Sequence, residues 1–137
     1  MIDFSQLNIL ENSVDVIVNG LNTLKDSLLI DKSIDDYYEF ASYVDSLAQL
    51  LWDMEYYLNI ADMEQSHLDA QEYMFVRATV TSDKKAEMLI EEKYYETKKE
   101  VSRYKWLVKK LRARYWWTTK ILDWAHDWFY FNSRMNS

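Results

Sequence analysis

The C-terminal part of the chain interleaves basic and aromatic side chains. The bases are Lys93, Lys98, Lys99, Arg103, Lys105, Lys109, Lys110, Arg112, Arg114 and Lys120, and the rings among them are Tyr104, Trp106, Tyr115, Trp116 and Trp117. Cations follow phosphates and flat rings stack on unpaired bases, so this pattern is typical of a surface for single-stranded nucleic acid. We assign Tyr104 and Tyr115 to the core because they share its apolar spacing. The candidate binding residues lie off that spacing: Lys105, Trp106, Lys109, Lys110, Arg112 and Arg114.

The same residues have a structural interpretation. The rings could fill a core, while the bases pair with acids of a neighbouring helix or with Glu92, Glu96 and Glu100 of their own. The two interpretations differ in whether the cationic side of this helix is free for a ligand.

Few other residues suggest a catalytic, metal-binding or phosphate-binding role. The 137 residues include no cysteine, no proline and one glycine, which excludes disulfides, thiolate sites and glycine-rich phosphate loops. No nucleophile stands beside a base at a recognisable spacing. The sequence therefore favours a protein that is not an enzyme and uses no cofactor.

Two histidines have a spacing that resembles metal ligation. Glu64 precedes His67 and Asp123 precedes His126 by three residues, as in the Glu-x-x-His pairs of di-iron bundles. A helical hairpin that turns near residue 80 would separate the two histidines by about 45 to 50 Å along its axis. We therefore expect no metal site.

Apolar residues recur at alternating spacings of three and four, which predicts helices that pack along narrow seams. The seams are Leu7, Leu10, Val14, Ile17, Leu21, Leu24 and Leu28; Tyr37, Phe40, Val44, Leu47, Leu51, Met54, Leu58, Ala61 and Leu68; and Ile90, Tyr94, Thr97, Val101, Tyr104, Val108, Leu111, Tyr115, Thr118, Leu122, Ala125 and Phe129. We predict one all-α domain over residues 1–137, an elongated bundle or hairpin of three long helices with heptad, coiled-coil-like packing. The helices should cover about residues 5–30, 34–77 and 83–133.

The boundaries of these helices have local signals. Residues 30–32 are expected to connect the first two helices, and Ser33 with Asp36 resembles a capping box. Ser82 and Asp83 form the expected start of the third helix. A bend is expected near residues 62–66, where the second seam weakens. The third helix, a rod on the order of 75 Å unless it bends, would need other subunits to cover it, so we expect a homo-oligomer.

Charge is divided unevenly along the chain. Residues 1–82 hold 15 acids and three bases, a net charge of −12, whereas residues 83–137 hold eight acids and 13 bases, a net charge of +5. Such asymmetry favours either a polyanionic partner or self-association through opposite ends.

The sequence predicts neither a membrane span nor a targeting segment, which favours the cytoplasm, or the host cytoplasm for a viral protein.

Near the C-terminus, Trp117, Ile121, Trp124 and Trp128 form a second apolar stripe beside the seam. It is either the end of the core, packed by the N-terminal helix, or a subunit interface.

Residues 82–124 resemble the C-terminal half of the UvsY recombination mediators of T-even-type phages. The similar positions are Lys93-Tyr94, Lys98, Val101, Leu107, Leu111, Arg114, Trp116, residues 121–123 and Trp124. The resemblance implies a ring-forming viral helical protein that binds single-stranded DNA and helps a recombinase displace a single-strand-binding protein. Arg112, Arg114 and neighbouring lysines would contact DNA, and no nucleotide hydrolysis is implied.

Three functional hypotheses follow. The first is a phage-like accessory protein that binds single-stranded DNA and assists recombination or replication. The second is an acidic helical inhibitor or adaptor that occupies a nucleic-acid site on a host defence protein or another host protein that handles nucleic acid. The third and weakest places the Trp-rich end at a membrane surface.

Overall fold

The computed structural model describes residues 2–30 and 33–135, and these form helices with no strand among them. The helices are α1 (Ser5–Glu11), α2 (Val14–Ile30), α3 (Ile34–Arg77), α4 (Asp83–Lys93) and α5 (Tyr95–Met135). The all-α prediction is confirmed. None of these helices combines the length and hydropathy that a bilayer crossing requires.

Two of the three predicted helices are interrupted. A turn at Asn12 and Ser13 separates α1 from α2. The Ser13 N–H donates to the Leu10 carbonyl oxygen, three residues earlier, at 3.0 Å, whereas an α-helix joins residues four apart. Asn and Ser compete for backbone hydrogen bonds, which explains a break at this point. The predicted helix over residues 83–133 is broken at Tyr94, whose backbone is not helical, with φ of −106° and ψ of 19°. This break separates α4 from α5. The apolar spacing continues through Tyr94 and therefore does not reveal this break.

Side-chain caps start α3 and α4 as expected. Ser33 Oγ accepts from the Asp36 N–H, and Ser82 Oγ accepts from the Lys85 N–H, each at 3.4 Å. The predicted connection over residues 30–32 falls partly on Asp31 and Lys32, which lie outside the described residues. The expected bend near residues 62–66 does not interrupt α3.

The long helix α3 is the centre of the packing and contacts all four other helices. Ion pairs of Glu55 with Arg112 and of Asp62 with Lys105 show that α3 and α5 run antiparallel. In contrast, α2 runs parallel to α5, since Glu11 pairs with Arg103 just before α2 begins and Asn22 accepts from Arg114. The core between these helices contains Leu7, Leu21, Leu28, Phe40, Val44, Leu47, Leu51, Met54, Leu58, Ala61, Val101, Tyr104, Val108, Leu111 and Ala125.

Tyr104 ties the N-terminal segment to α5. Its side chain is fully buried, its hydroxyl donates to Asn8 Oδ1, and its ring stacks on Phe4 with 6.0 Å between centroids. Burial raises the pKa of Tyr104 above its ordinary value, and the nearby Glu11 carboxylate acts in the same direction. The assignment of Tyr104 to the core is confirmed.

Gly20 allows α2 to lie close to α3. A Cβ atom at position 20 would lie 2.6 Å from the Tyr43 ring, closer than non-bonded carbons approach each other. The only glycine of the chain therefore has a packing reason inside a helix, where it otherwise lowers stability.

We expect Gly20→Ala to lower the free energy of unfolding by about 1 kcal/mol, because overpacking against the ring exceeds the gain of about 1 kcal/mol in helix propensity. Urea unfolding followed by circular dichroism measures the change. In a Tyr43→Ala background the same substitution should instead stabilise the protein. Stabilisation by Gly20→Ala in the otherwise unchanged chain would show that the ring does not constrain this position.

Candidate nucleic-acid interface

The predicted binding residues lie on different faces of α5. An α-helix turns by about 100° per residue, so the buried seam of Tyr104, Val108 and Leu111 occupies one side of α5. The basic residues are distributed over the flank that faces α3, the flank that faces α1 and α2, and the side opposite the core.

The flank that faces α3 carries a ladder of ion pairs. Lys98 Nζ lies 3.1 Å from Asp69 Oδ2, Lys105 Nζ lies 3.1 Å from Asp62 Oδ1, and Arg112 pairs with Glu55. The three bases are seven residues apart on α5, and the three acids are seven residues apart on α3. Two antiparallel helices with a heptad spacing repeat the same flanking contact every two turns. We call these three pairs the charge ladder. The structural interpretation, in which bases pair with acids of the second predicted helix, is confirmed for these three pairs.

Lys98 also contacts Glu91 across the α4–α5 junction, at 2.5 Å. Burial alone would lower the pKa of Lys98, but its bonds to Glu91 and Asp69 raise the pKa above the ordinary value overall. Lys98 therefore stays charged and joins α3, α4 and α5.

The flank that faces α1 and α2 is also occupied. Arg103 pairs with Glu11 and with Glu100, and these bonds raise the pKa of its guanidinium. Arg114 Nη1 donates to Asn22 Oδ1 at 2.9 Å. Arg103 and Arg114 therefore hold the N-terminal segment and α2 against α5.

The side of α5 opposite the core is different. We define the outer stripe as the side chains of Lys99, Trp106, Lys109, Lys110, Trp116, Trp117 and Lys120, all of which are exposed. Its indole rings are 52% to 63% exposed. Among the residues that the structure describes, no carboxylate lies within salt-bridge distance of its four lysines. The outer stripe thus combines accessible rings with unpaired amines.

Cations and rings of the outer stripe contact each other. Lys110 Nζ lies 4.2 Å from the centroid of the Trp106 ring, and Lys120 Nζ lies 5.3 Å from that of Trp116. Such contacts are worth about 0.5 to 1 kcal/mol at exposed sites. They hold amines beside rings without neutralising the charge.

The structure divides the six predicted residues into two groups of three. Trp106, Lys109 and Lys110 lie on the outer stripe, whereas Lys105, Arg112 and Arg114 lie on the flanks with partners in the same chain. The site prediction omitted four members of the stripe: Lys99, Trp116, Trp117 and Lys120. Helical spacing on the side opposite the seam was the signal that could have identified them: Lys99 lies seven residues before Trp106, Trp116 seven after Lys109, Trp117 seven after Lys110, and Lys120 four after Trp116.

The aromatic side of α5 continues towards the C-terminus. Trp124 is 46% exposed and Phe131 is 62% exposed, whereas Ile121 and Trp128 are half-buried. Ala125 is buried, and Ile121 and Phe129 pack against the core, so one side of this segment belongs to the core while its other side is accessible.

The two histidines lie apart. His67 lies beside Glu64 in a shallow depression near Ile2, while His126 lies beside Asp127 and stacks on Tyr130. Within residues 2–30 and 33–135, no cluster of three or more His, Asp or Glu side chains could hold a metal ion.

The charge ladder should contribute little to stability because its side chains are partly exposed. We expect Glu55→Gln combined with Asp62→Asn to lower the free energy of unfolding by about 1 kcal/mol or less, and the loss should shrink in 1 M NaCl. The control, Glu39→Gln with Asp45→Asn, removes the same charge from α3 at two positions that form no ion pair with any residue in the described ranges. A loss of several kcal/mol that persists in high salt would mean that the ladder is a main determinant of the fold.

Comparisons with protein-family models, with curated proteins and with solved structures find no match to this chain. The outer stripe is therefore the feature from which a function can be inferred.

Proposed function

We propose that this protein is a non-enzymatic helical accessory protein that binds single-stranded DNA along the outer stripe of α5. The observation that carries the proposal is the alternation of accessible indole rings with unpaired lysines on the side opposite the core. Lysines would follow the phosphates, and Trp106 and Trp117 would stack on bases. Stacking is worth about 1 to 3 kcal/mol per base and tolerates any sequence.

Single-stranded DNA suits the outer stripe better than a duplex. Base faces are accessible to a ring only when the strand is unpaired, and a duplex would leave the indoles without stacking partners. From Lys99 to Lys120 the stripe runs about 30 Å along the helix, which is long enough for several nucleotides.

The paired bases on the flanks form a secondary surface in this proposal. Exposed ion pairs are worth about 0 to 1 kcal/mol, so phosphates could compete with Glu55 for Arg112 or with Asp62 for Lys105. We therefore expect Lys105, Arg112 and Arg114 to contribute less to affinity than the stripe lysines.

The resemblance of residues 82–124 to the UvsY mediators supports the same function and extends it. It implies assembly with further copies and cooperation with a recombinase and a single-strand-binding protein in the cytoplasm of an infected host. Coiled-coil-like packing of long helices between subunits belongs to this proposal, and the exposed Trp124 and Phe131 are available for it.

One observation favours the second hypothesis, an acidic inhibitor or adaptor. The exposed face of α3 presents Trp52 at 72% and Tyr56 at 59% exposure, on the same side as the carboxylate of Asp45. Rings beside acids could occupy a protein site that normally takes nucleic acid. Binding to a host nuclease, rather than to DNA, would support this function.

The test compares two variants that each remove two positive charges. Lys109→Ala with Lys120→Ala changes the stripe, and Lys105→Ala with Arg112→Ala changes the ladder flank. We expect the stripe variant to weaken binding of fluorescein-labelled oligothymidine by tenfold or more, and the flank variant by a clearly smaller factor. Fluorescence anisotropy measures affinity, and circular dichroism checks that both variants keep their helicity.

Two further results are expected from the same assay. Affinity of the unchanged protein should fall steeply between low and moderate salt, because each phosphate contact releases a counterion. Trp106→Ala should weaken binding by about 1 to 3 kcal/mol without changing the salt dependence. Absence of oligothymidine binding at low salt, or equal losses in the stripe and flank variants, would contradict the proposal.

A further inference from the structure

A groove separates the parallel helices α2 and α5. It has a volume of about 610 Å³ and is lined from Val14 to Lys25 on α2 and from Leu107 to Ile121 on α5. These segments correspond to about 16 to 21 Å of helix. Its size lies within the range of pockets that bind ligands.

The floor of the groove is apolar. Its accessible apolar residues are the half-buried Val14, Val18, Leu107 and Ile121, which lie above the buried Leu21, Phe40 and Leu111. The hydroxyl of Thr118, which also lines the groove, already donates to the Tyr115 carbonyl oxygen at 2.9 Å. The floor therefore suits aliphatic side chains, and the hydroxyl proton of Thr118 is already used in a hydrogen bond within α5.

The rim of the groove is cationic. Lys25, Lys110 and Arg114 surround it, and Asp15 is the acid among the lining residues. Arg114 is held by the neutral amide of Asn22, so its charge is not cancelled there. Neither Lys25 nor Lys110 has a carboxylate within salt-bridge distance in the described part of the chain. An occupant should therefore be apolar on one side and anionic along its edges.

We propose that this groove binds an acidic amphipathic helix of a partner protein. The length of the groove corresponds to three or four helical turns, and helices bind such grooves through apolar anchors spaced by three, four and seven residues. Aliphatic anchors of the partner lie on the accessible parts of Val14, Val18 and Ile121, and its flanking carboxylates face Lys25, Lys110 and Arg114. Apolar burial supplies the affinity, and the cationic rim selects acidic partners.

The groove and the outer stripe share two residues. Lys110 and Trp117 line the groove and also belong to the stripe. A partner helix that covers Lys110 and Trp117 competes with a DNA strand that needs them, so each ligand weakens binding of the other. This competition rests on the proposed DNA binding, whereas occupation of the groove does not.

The probe is a synthetic 15-residue helical peptide, labelled with fluorescein, that carries leucines on one face and glutamates on both sides of them. We expect saturable binding by fluorescence anisotropy. The corresponding peptide with glutamine for every glutamate should bind at least tenfold more weakly, because it loses the contacts with the rim. Absence of binding by the glutamate peptide, or equal binding of both peptides, would overturn the proposal.

Variants of the protein locate the binding site. Lys25→Glu reverses a charge at the rim, and Val18→Phe fills the groove; each should weaken peptide binding by tenfold or more. Lys84→Glu makes the same charge reversal on α4, away from the groove, and should leave binding within about twofold of the unchanged protein. If Val18→Phe unfolds, Lys25→Glu and Lys84→Glu still decide the result. Equal losses in Lys25→Glu and Lys84→Glu would contradict a site in the groove.

The same variants separate this inference from the proposed function. Lys109→Ala with Lys120→Ala should weaken oligothymidine binding but keep peptide binding, whereas Lys25→Glu should mainly affect the peptide. If oligothymidine does not bind, the groove proposal is still tested by the peptide. Dodecanoate serves as a second probe: binding of dodecanoate without binding of the peptide would assign the groove to an aliphatic anion and contradict a partner helix.

Discussion

The burial of one seam of α5 against α3 is the interaction on which the rest of the structure depends. Tyr104, Val108 and Leu111 lie in one core with Met54, Leu58 and Ala61 of α3, which the antiparallel register places opposite them. Each fully buried side chain of this kind contributes about 1.5 to 3 kcal/mol. Since a helix has one angular position for each residue, fixing this seam also fixes which residues of α5 flank α3, which face α2, and which point away from the protein.

The antiparallel register explains the neutralised part of the basic helix. Lys98, Lys105 and Arg112 repeat every seven residues beside the seam, and their partners on α3 repeat at the same interval. The acidic and basic halves of the chain therefore meet within one subunit along this flank. The charge asymmetry of the sequence is partly an internal complementarity, while the lysines of the outer stripe keep their charge for a ligand.

The lengths of the helices explain the remaining surfaces. The helix α5 has 41 residues, whereas α2 has 17 and covers only part of one side of α5. The outer stripe is exposed because no helix lies over it, and the groove forms where α2 and α5 flank each other without filling the space between them. Lys110 lies at the border of these two surfaces, which links strand binding to partner binding in the function that we propose.

The sequence by itself determined the all-helical class, the caps at Ser33 and Ser82 and nearly all of the core, because the spacing of apolar residues and the capping chemistry are local properties. It did not predict the turn at Asn12 and Ser13 that separates α1 from α2. It did not reveal the break at Tyr94, where the apolar spacing is uninterrupted. Only the tertiary structure decided which bases are occupied, because Lys105 and Asp62 are 43 positions apart and meet through the register of two packed helices. For the same reason the groove, which is a space between α2 and α5, has no signature in the order of the residues.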